Sequence, residues 1–370
     1  MLKEPTHLNR VLVMKRIKRN PGKFEVIDLF TALGREHGFK VSEDEDAREF
    51  MGLVKSSLKE SFEDAKLLHG KRVEAMFAHV AGALGGCKLI KQEDSGSIFT
   101  DDDNLQPPDY LIVLKSGERI FVEVKNCHFK NYKSPFPVKS DYIQKLENYA
   151  QLNGAALKFA VFFSQFNQWV LLSKSSFTEH KTKRSISFIE AIAKNEMSII
   201  GDRMIGTKPP LSVVFVADPE KEAFITDDGQ ANFIISDIKF YCDENEITDG
   251  TEKNIAFYLI QFGKWSESEG EALFDSERLA GVKLDYQPEH QEEVDDARQQ
   301  GFGIIGHLSS MVSTAYKQHT VYEQRVIALD TAADPEIFSV EIPKGYKGDK
   351  LPLWQMELRP NTEFKVSIGE

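Results

Sequence analysis

Cysteine, long apolar runs and nucleotide-binding loops are all scarce or missing in this chain, and each shortage removes a class of protein. The 370 residues include only Cys87, Cys127 and Cys242, far apart and without a CxxC pair. That argues against a disulfide scaffold or a cysteine-rich zinc site, and points to a reducing, cytoplasmic setting. No apolar run approaches the roughly 20 residues that cross a bilayer. The stretch from Met1 to Arg19 holds short apolar pieces broken by Lys and Arg, so neither a secreted nor a membrane-spanning protein is expected. Neither a GxxxxGK[ST] phosphate loop nor a GxSxG elbow occurs, which leaves ATPase and serine hydrolase readings without their motifs.

What the chain does have is the composition of a globular protein, with 41% hydrophobic and 28% charged residues and a length that suits two or three domains. Its net charge of −12 is unevenly spread. Residues 1–24 carry Lys3, Arg10, Lys15, Arg16, Lys18, Arg19 and Lys23 against Glu4, a local balance of +6, whereas residues 241–300 balance to −11. A basic N-terminal part and an acidic C-terminal part are expected to do different jobs.

Helical spacing of Phe50, Leu53, Val54 and Leu58 predicts a mostly helical segment from Phe24 to about Leu84. Short β-rich runs follow at Tyr110 to Leu114, Arg119 to Val124, Lys158 to Phe163 and Trp169 to Leu172, with a helix over Ser140 to Leu152. A further helix is predicted from Ser187 to Ile200. Gly206-Thr207-Lys208-Pro209-Pro210 reads as a linker or tight turn and is taken as a domain boundary. Beyond it the chain reads as α+β, with strand-like runs at Leu211 to Val216, Phe233 to Ile235, Phe240 to Cys242 and Ile255 to Phe262, then a helix near Leu308 to Lys317. The resulting division is a basic helical segment (1–67), a central domain (68–205) and a C-terminal α+β domain (206–370).

The most informative stretch runs from Pro108-Asp109 to Glu123-Val124-Lys125 and reads as one hairpin. If Leu114 pairs with Glu118 around a Gly117-containing loop, Asp109 stands directly opposite Glu123. Opposed residues share a face with Cβ atoms about 5 Å apart, and Lys125 joins them because strand side chains alternate. Two carboxylates and an amine suit phosphodiester hydrolysis. The acids can hold a hard divalent cation, and the Lys can position water or stabilise the transition state.

Pro108-Asp109 followed by Glu123-Val124-Lys125 resembles the PD-(D/E)xK, restriction-endonuclease-like nuclease superfamily. The resemblance covers roughly residues 68–205 and implies a mixed α/β sheet core flanked by helices. It further implies a Mg²⁺-dependent nuclease, with Mn²⁺ as a substitute, in which Asp109 and Glu123 bind metal and Lys125 positions water. Members often add an acid from a preceding helix, for which Glu74 in Gly70-Lys71-Arg72-Val73-Glu74 is the candidate, as catalytic residue and metal ligand. Their QLxxY pattern has a similar Lys145-Leu146-Glu147-Asn148-Tyr149 here, with Lys in the first place and Gln144 beside it. Together with Lys130, Lys133 and Lys139, interleaved with Phe129, Tyr132, Phe136 and Tyr142, the residues Gln144, Lys145 and Tyr149 are candidate nucleic-acid contacts.

The resemblance also implies DNA as the substrate and restriction, phage defence or repair as the setting. The C-terminal domain would serve a homodimer or a protein partner. Against this stand other DxK or ExK triplets, of which Asp237-Ile238-Lys239 comes nearest in context. The alternative reading is a module that keeps the fold without catalysis, binding nucleic acid or assembling with proteins. A third reading has the acidic half binding a protein partner. Cys127-His128 is expected to pack, and Asp101-Asp102-Asp103 to be a solvated turn.

Overall fold

In a computed structural model of the chain, residues 14–17, 20–94, 96, 98–129, 131, 134–339 and 342–365 are described. The chain divides into two compact units. The first runs to Gly201 and also takes in Tyr316–Phe338 and the chain from Pro360, while the second holds Asp202–Ala315 and Ser339–Arg359.

The first unit is built on a mixed five-stranded sheet. Three helices lead in: α1 (Glu25–His37), α2 (Asp44–Glu63) and α3 (Ala65–Ala83). The strands β1 (Cys87–Gln92), β2 (Tyr110–Leu114) and β3 (Arg119–Cys127) follow, then β4 (Phe136–Lys139), α4 (Ser140–Leu152), β5 (Ala156–Phe163) and β6 (Gln168–Ser173). The sheet order is β1-β2-β3-β5-β6, with β3 and β5 parallel and the other pairs antiparallel. A parallel central pair is covered on both faces and so reads as a continuous apolar run. Accordingly Ile120, Phe121, Val122 and Val124 of β3 are buried, as are Phe159 to Phe163 of β5.

Helix α4 lies on the face bearing Phe121, Phe159 and Val161 through Ile143, Leu146 and Ala150, one stripe at helical spacing. Helix α3 turns Phe77 toward Tyr110 and Trp169. Its buried Val73, Met76, Phe77, Val80 and Ala81 follow the same rule. A small sheet of β4, β8 (Lys183–Ile186) and β7 (Thr178–Glu179) and the helix α5 (Phe188–Ala193) complete the core.

The second unit contains β9 (Met204–Thr207), β10 (Leu211–Ala217), β11 (Phe224–Ile225), β12 (Ala231–Asn232), β13 (Ile235–Cys242), β14 (Asn245–Ile247) and α6 (Gly250–Phe262). It continues through β15 (Ser266–Glu267), β16 (Glu271–Asp275), β17 (Arg278–Gln287), α7 (Gln291–Gln300), β18 (Gly303–His307), α8 (Leu308–Thr320, to Ala315) and a last strand, Trp354–Met356. Its larger sheet has the order β14-β13-β10-β17-β15 with β16 on β17. Buried Glu252 of α6 accepts backbone N–H bonds from Asp349, Lys350 and Leu351 and so anchors the returning chain.

Three expectations need correction. The run Ile255 to Phe262 is helical, because Asp249 caps α6 by accepting from the Thr251 and Glu252 N–H groups, and Ile255, Ala256, Tyr258 and Leu259 bury one side. The helix expected over Ser187 to Ile200 stops at Ala193, since the Asn195 side chain instead accepts from Leu171 N and Met197 N. Gly206 belongs to β9, where a Cβ would come within 2.8 Å of the Phe302 ring, so this glycine serves close packing instead of a linker. The first compact unit runs to Gly201, and Asp64 caps a helix that starts at Ala65. The expected C-terminal domain is interrupted, for Tyr316–Phe338 returns to α3 through Arg72 to Thr320 (2.9 Å) and His79 to Asp330 (2.9 Å).

Candidate active site

The hairpin turn fixes the centre of the site. Gly117 takes φ 93°, a conformation open to glycine, and Leu114 N–H donates to Glu118 O at 2.8 Å. The register that follows, Tyr110 opposite Val122, sets Asp109 across from Glu123. Asp109 accepts from the Val124 N–H at 2.6 Å, which ties the carboxylate to β3. On its other side β2 pairs with β1, Gln92 facing Tyr110, and Glu93 N–H donates to Asp109 O at 2.9 Å. That pairing delivers Asp94 to the same end of the sheet. From α3 comes Glu74, its backbone carbonyl accepting from the Tyr110 hydroxyl at 3.1 Å.

Oxygens of Glu74, Asp94 and Asp109 lie within 4.8 Å of one another, a grouping drawn from a helix and two strand ends. Lys71, one turn before Glu74, places its ammonium 2.8 Å from Glu74 and 3.3 Å from Asp94. Burial, then the Glu123 charge, pushes the Asp109 carboxyl up to about 7, outweighing the Val124 N–H. Burial likewise raises Glu74, against the pull of Lys71. Raised carboxyls beside one ammonium mark a part-buried crowding of negative charge. The donor set fits a hard cation such as Mg²⁺, whose octahedral oxygens sit at about 2.1 Å.

Glu123 stands apart from that oxygen group. Only 2% exposed, it receives the Lys125 ammonium and the Tyr142 hydroxyl (2.5 Å) on its Oε1. Lys125 also donates to the Tyr142 hydroxyl at 3.3 Å and lies over that ring. Burial, with Glu123 next, raises the Tyr142 phenol, so it stays a proton donor. Sequence reasoning took Glu123 as a metal ligand; in the structure its Oε1 is engaged by Lys125 and Tyr142.

The four residues expected to act together, Glu74, Asp109, Glu123 and Lys125, thus come from α3 and the hairpin into one neighbourhood. The expected nucleic-acid contacts scatter. Lys139 is exposed at the start of α4, Gln144 bonds Asn148 at 2.8 Å, and Lys145 is half-buried. Tyr149 donates to Glu93 at 2.9 Å. Lys130, Lys133 and Tyr132 lie outside the described residues. Cys127 packs in the core, whereas His128 is exposed and bonds Ser164. Asp94 and Lys71 went unassigned in the sequence; Tyr142 was read as a stacking aromatic, and β1, which positions Asp94, was not foreseen.

Searched against family models and curated proteins, the chain matches none. Among solved structures, one match is the 1.6 Å structure of Archaeoglobus fulgidus Hjc, a Holliday junction resolvase from an archaeal hyperthermophile. It spans 29% of this chain and 81% of that one, at 14% identity and a TM-score of 0.23. Among the described residues, no helix is long and apolar enough to cross a membrane.

Proposed function

We propose that the protein is a metal-dependent nuclease that hydrolyses phosphodiester bonds, with DNA as the substrate. The observation that carries this reading is the convergence of Glu74, Asp94 and Asp109 beside the Glu123–Lys125 pair. Glu74, Asp94 and Asp109 would hold Mg²⁺ or Mn²⁺. Bound there, such an ion supplies charge neutralisation at the phosphate and lowers the pKa of a coordinated water.

The chain's own residues do the rest. Lys125 is held by Glu123 and Tyr142, so its ammonium keeps one position instead of sampling rotamers. From there it can orient an attacking water and take up charge that develops on the non-bridging oxygens. Glu123, buried and paired, fixes that ammonium in place. Asp109 joins the two halves of the site, since the strand that carries Lys125 also donates the Val124 N–H to it.

The test incubates the protein with plasmid, linear and single-stranded DNA, with and without Mg²⁺, beside Asp109→Ala and Lys125→Ala. Mg²⁺-dependent cutting by the wild type, lost in both variants, is the expected result. Equal cutting by all three forms would remove the site, and tight DNA binding without cutting by any form would favour the non-catalytic module.

A further inference from the structure

The ammonium of Lys71 sits between two of the three carboxylates that the proposed site assigns to the ion. It lies 2.8 Å from Glu74 Oε2 and 3.3 Å from Asp94 Oδ2. Spacing of three residues on α3 places Lys71 directly above Glu74. The acids are largely covered, Glu74 at 13% and Asp94 at 21% side-chain exposure, while Lys71 is 46% exposed. The ammonium therefore reaches in from the solvent side on a flexible four-carbon arm. Neighbouring lysines serve other acids: Lys91 pairs with Glu93, and Lys125 with Glu123.

We propose that Lys71 is the resident counter-ion of this site, and that a divalent cation binds by exchange, displacing the ammonium from Glu74 and Asp94. This rests on the metal-site reading above and adds to it a residue that sets ion affinity. An ammonium and a divalent ion held against the same carboxylates repel each other, so each weakens the other's hold. Lys71 thus neutralises crowded carboxylates in the ion-free protein and taxes the ion's entry. Removing it has two opposite effects: the ion-free protein loses its cation and the ion loses its competitor.

Mn²⁺ binding to the full chain, read by the electron paramagnetic resonance signal of free Mn²⁺, tests this with Lys71→Met, Lys71→Arg and Asp109→Asn. Lys71→Met is expected to bind about fivefold tighter, the size of one part-exposed ion pair removed as competitor. Lys71→Arg, which keeps the charge, is expected to stay within about twofold of the wild type. Without Mn²⁺, Lys71→Met is expected to melt at a lower temperature than the wild type, and to gain more on adding it. Equal or weaker Mn²⁺ binding by Lys71→Met overturns the proposal while leaving the site intact. Failure of the wild type itself to bind Mn²⁺, with Asp109→Asn indistinguishable from it, overturns the site reading instead.

Discussion

Replacing Asp109 by asparagine is expected to make the ion-free protein more stable while abolishing its response to Mg²⁺. The amide keeps the shape of the side chain and an oxygen to accept the Val124 N–H, now 2.6 Å away. What changes is charge. Burial and the Glu123 carboxylate push Asp109 up to about 7. A carboxyl whose folded pKa lies above its unfolded value, near 3.9, binds more protons in the folded state. Stability then falls as pH rises from about 4 to about 7, and the whole penalty is present above that. At 1.36 kcal/mol per pH unit the gap sets a ceiling of about 4 kcal/mol. Asp109 is only half-buried and Lys125 lies near, so a gain of about 1–3 kcal/mol is expected for Asp109→Asn at pH 8, shrinking toward zero at pH 4. Urea unfolding in chelator at the two pH values measures it. Repeating the titration in Mg²⁺ should stabilise the wild type and leave the variant unmoved. A variant that is no more stable at pH 8, or that gains as much from Mg²⁺ as the wild type, would refute the reasoning.

Two further outcomes follow from the same geometry. Tyr142→Phe removes the hydroxyl that donates to buried Glu123 at 2.5 Å and accepts from Lys125 at 3.3 Å. Chemical unfolding should show a loss of about 1.5–3 kcal/mol. Plasmid nicking at saturating DNA should slow roughly 10- to 100-fold, as when a supporting partner is lost. At the foot of α3, burial pushes the Asp330 carboxyl up, but hydrogen bonds from His79 and Thr331 N–H and the Arg16 charge outweigh it and hold the group at about 2. The resulting stability is present above the ordinary aspartate value and is lost as pH falls toward 2. Its side chain is 41% exposed, so solvent screening trims the effect, and Asp330→Asn should lower stability by about 1 kcal/mol at pH 7 and hardly at all at pH 2, as thermal melts at the two values would show.

How much of this was legible before any coordinates depends on how local each determinant is. The hairpin could be read because Gly117, the apolar strands beside it and the two-residue alternation all lie within 17 residues of one another. The helix Ser140–Leu152 was read to its ends for the same reason, its stripe of Ile143, Leu146 and Ala150 being complete in itself. The run Ile255 to Phe262 failed because an unbroken apolar segment satisfies a buried strand and a buried helix equally, and the deciding cap, Asp249, stands outside the run. The return of Tyr316–Phe338 to the first unit was invisible for a stronger reason. Its ties, Thr320 to Arg72 and Asp330 to His79, span some 250 residues of sequence and leave no local trace.

Asp94 shows why the candidate site was only half visible. It is placed by β1, whose burial alternates poorly because the strand lies at the sheet edge and shifts register between Cys87 and Leu89. An edge strand of that kind offers no period for a sequence to display. The lysines were misleading for a related reason. Lys71 with Glu74, Lys91 with Glu93, and Lys125 with Glu123 are one device repeated: a cation two or three residues from its acid, on the same face of a strand or helix. Such pairs let five carboxylates crowd at one end of a sheet without unfolding it. Of the three, only Glu123 and Lys125 show this in the acid-x-lysine order, and in the similar triplet at Asp237 the lysine, Lys239, pairs with Glu246 at 3.7 Å. There Asp237 sits exposed on β13, its carboxylate turned back to the neighbouring Ile238 N–H at 2.8 Å. What separates Glu123 from that case is burial, for a carboxylate only 2% exposed must keep its partners, and Lys125 and Tyr142 are the partners it has.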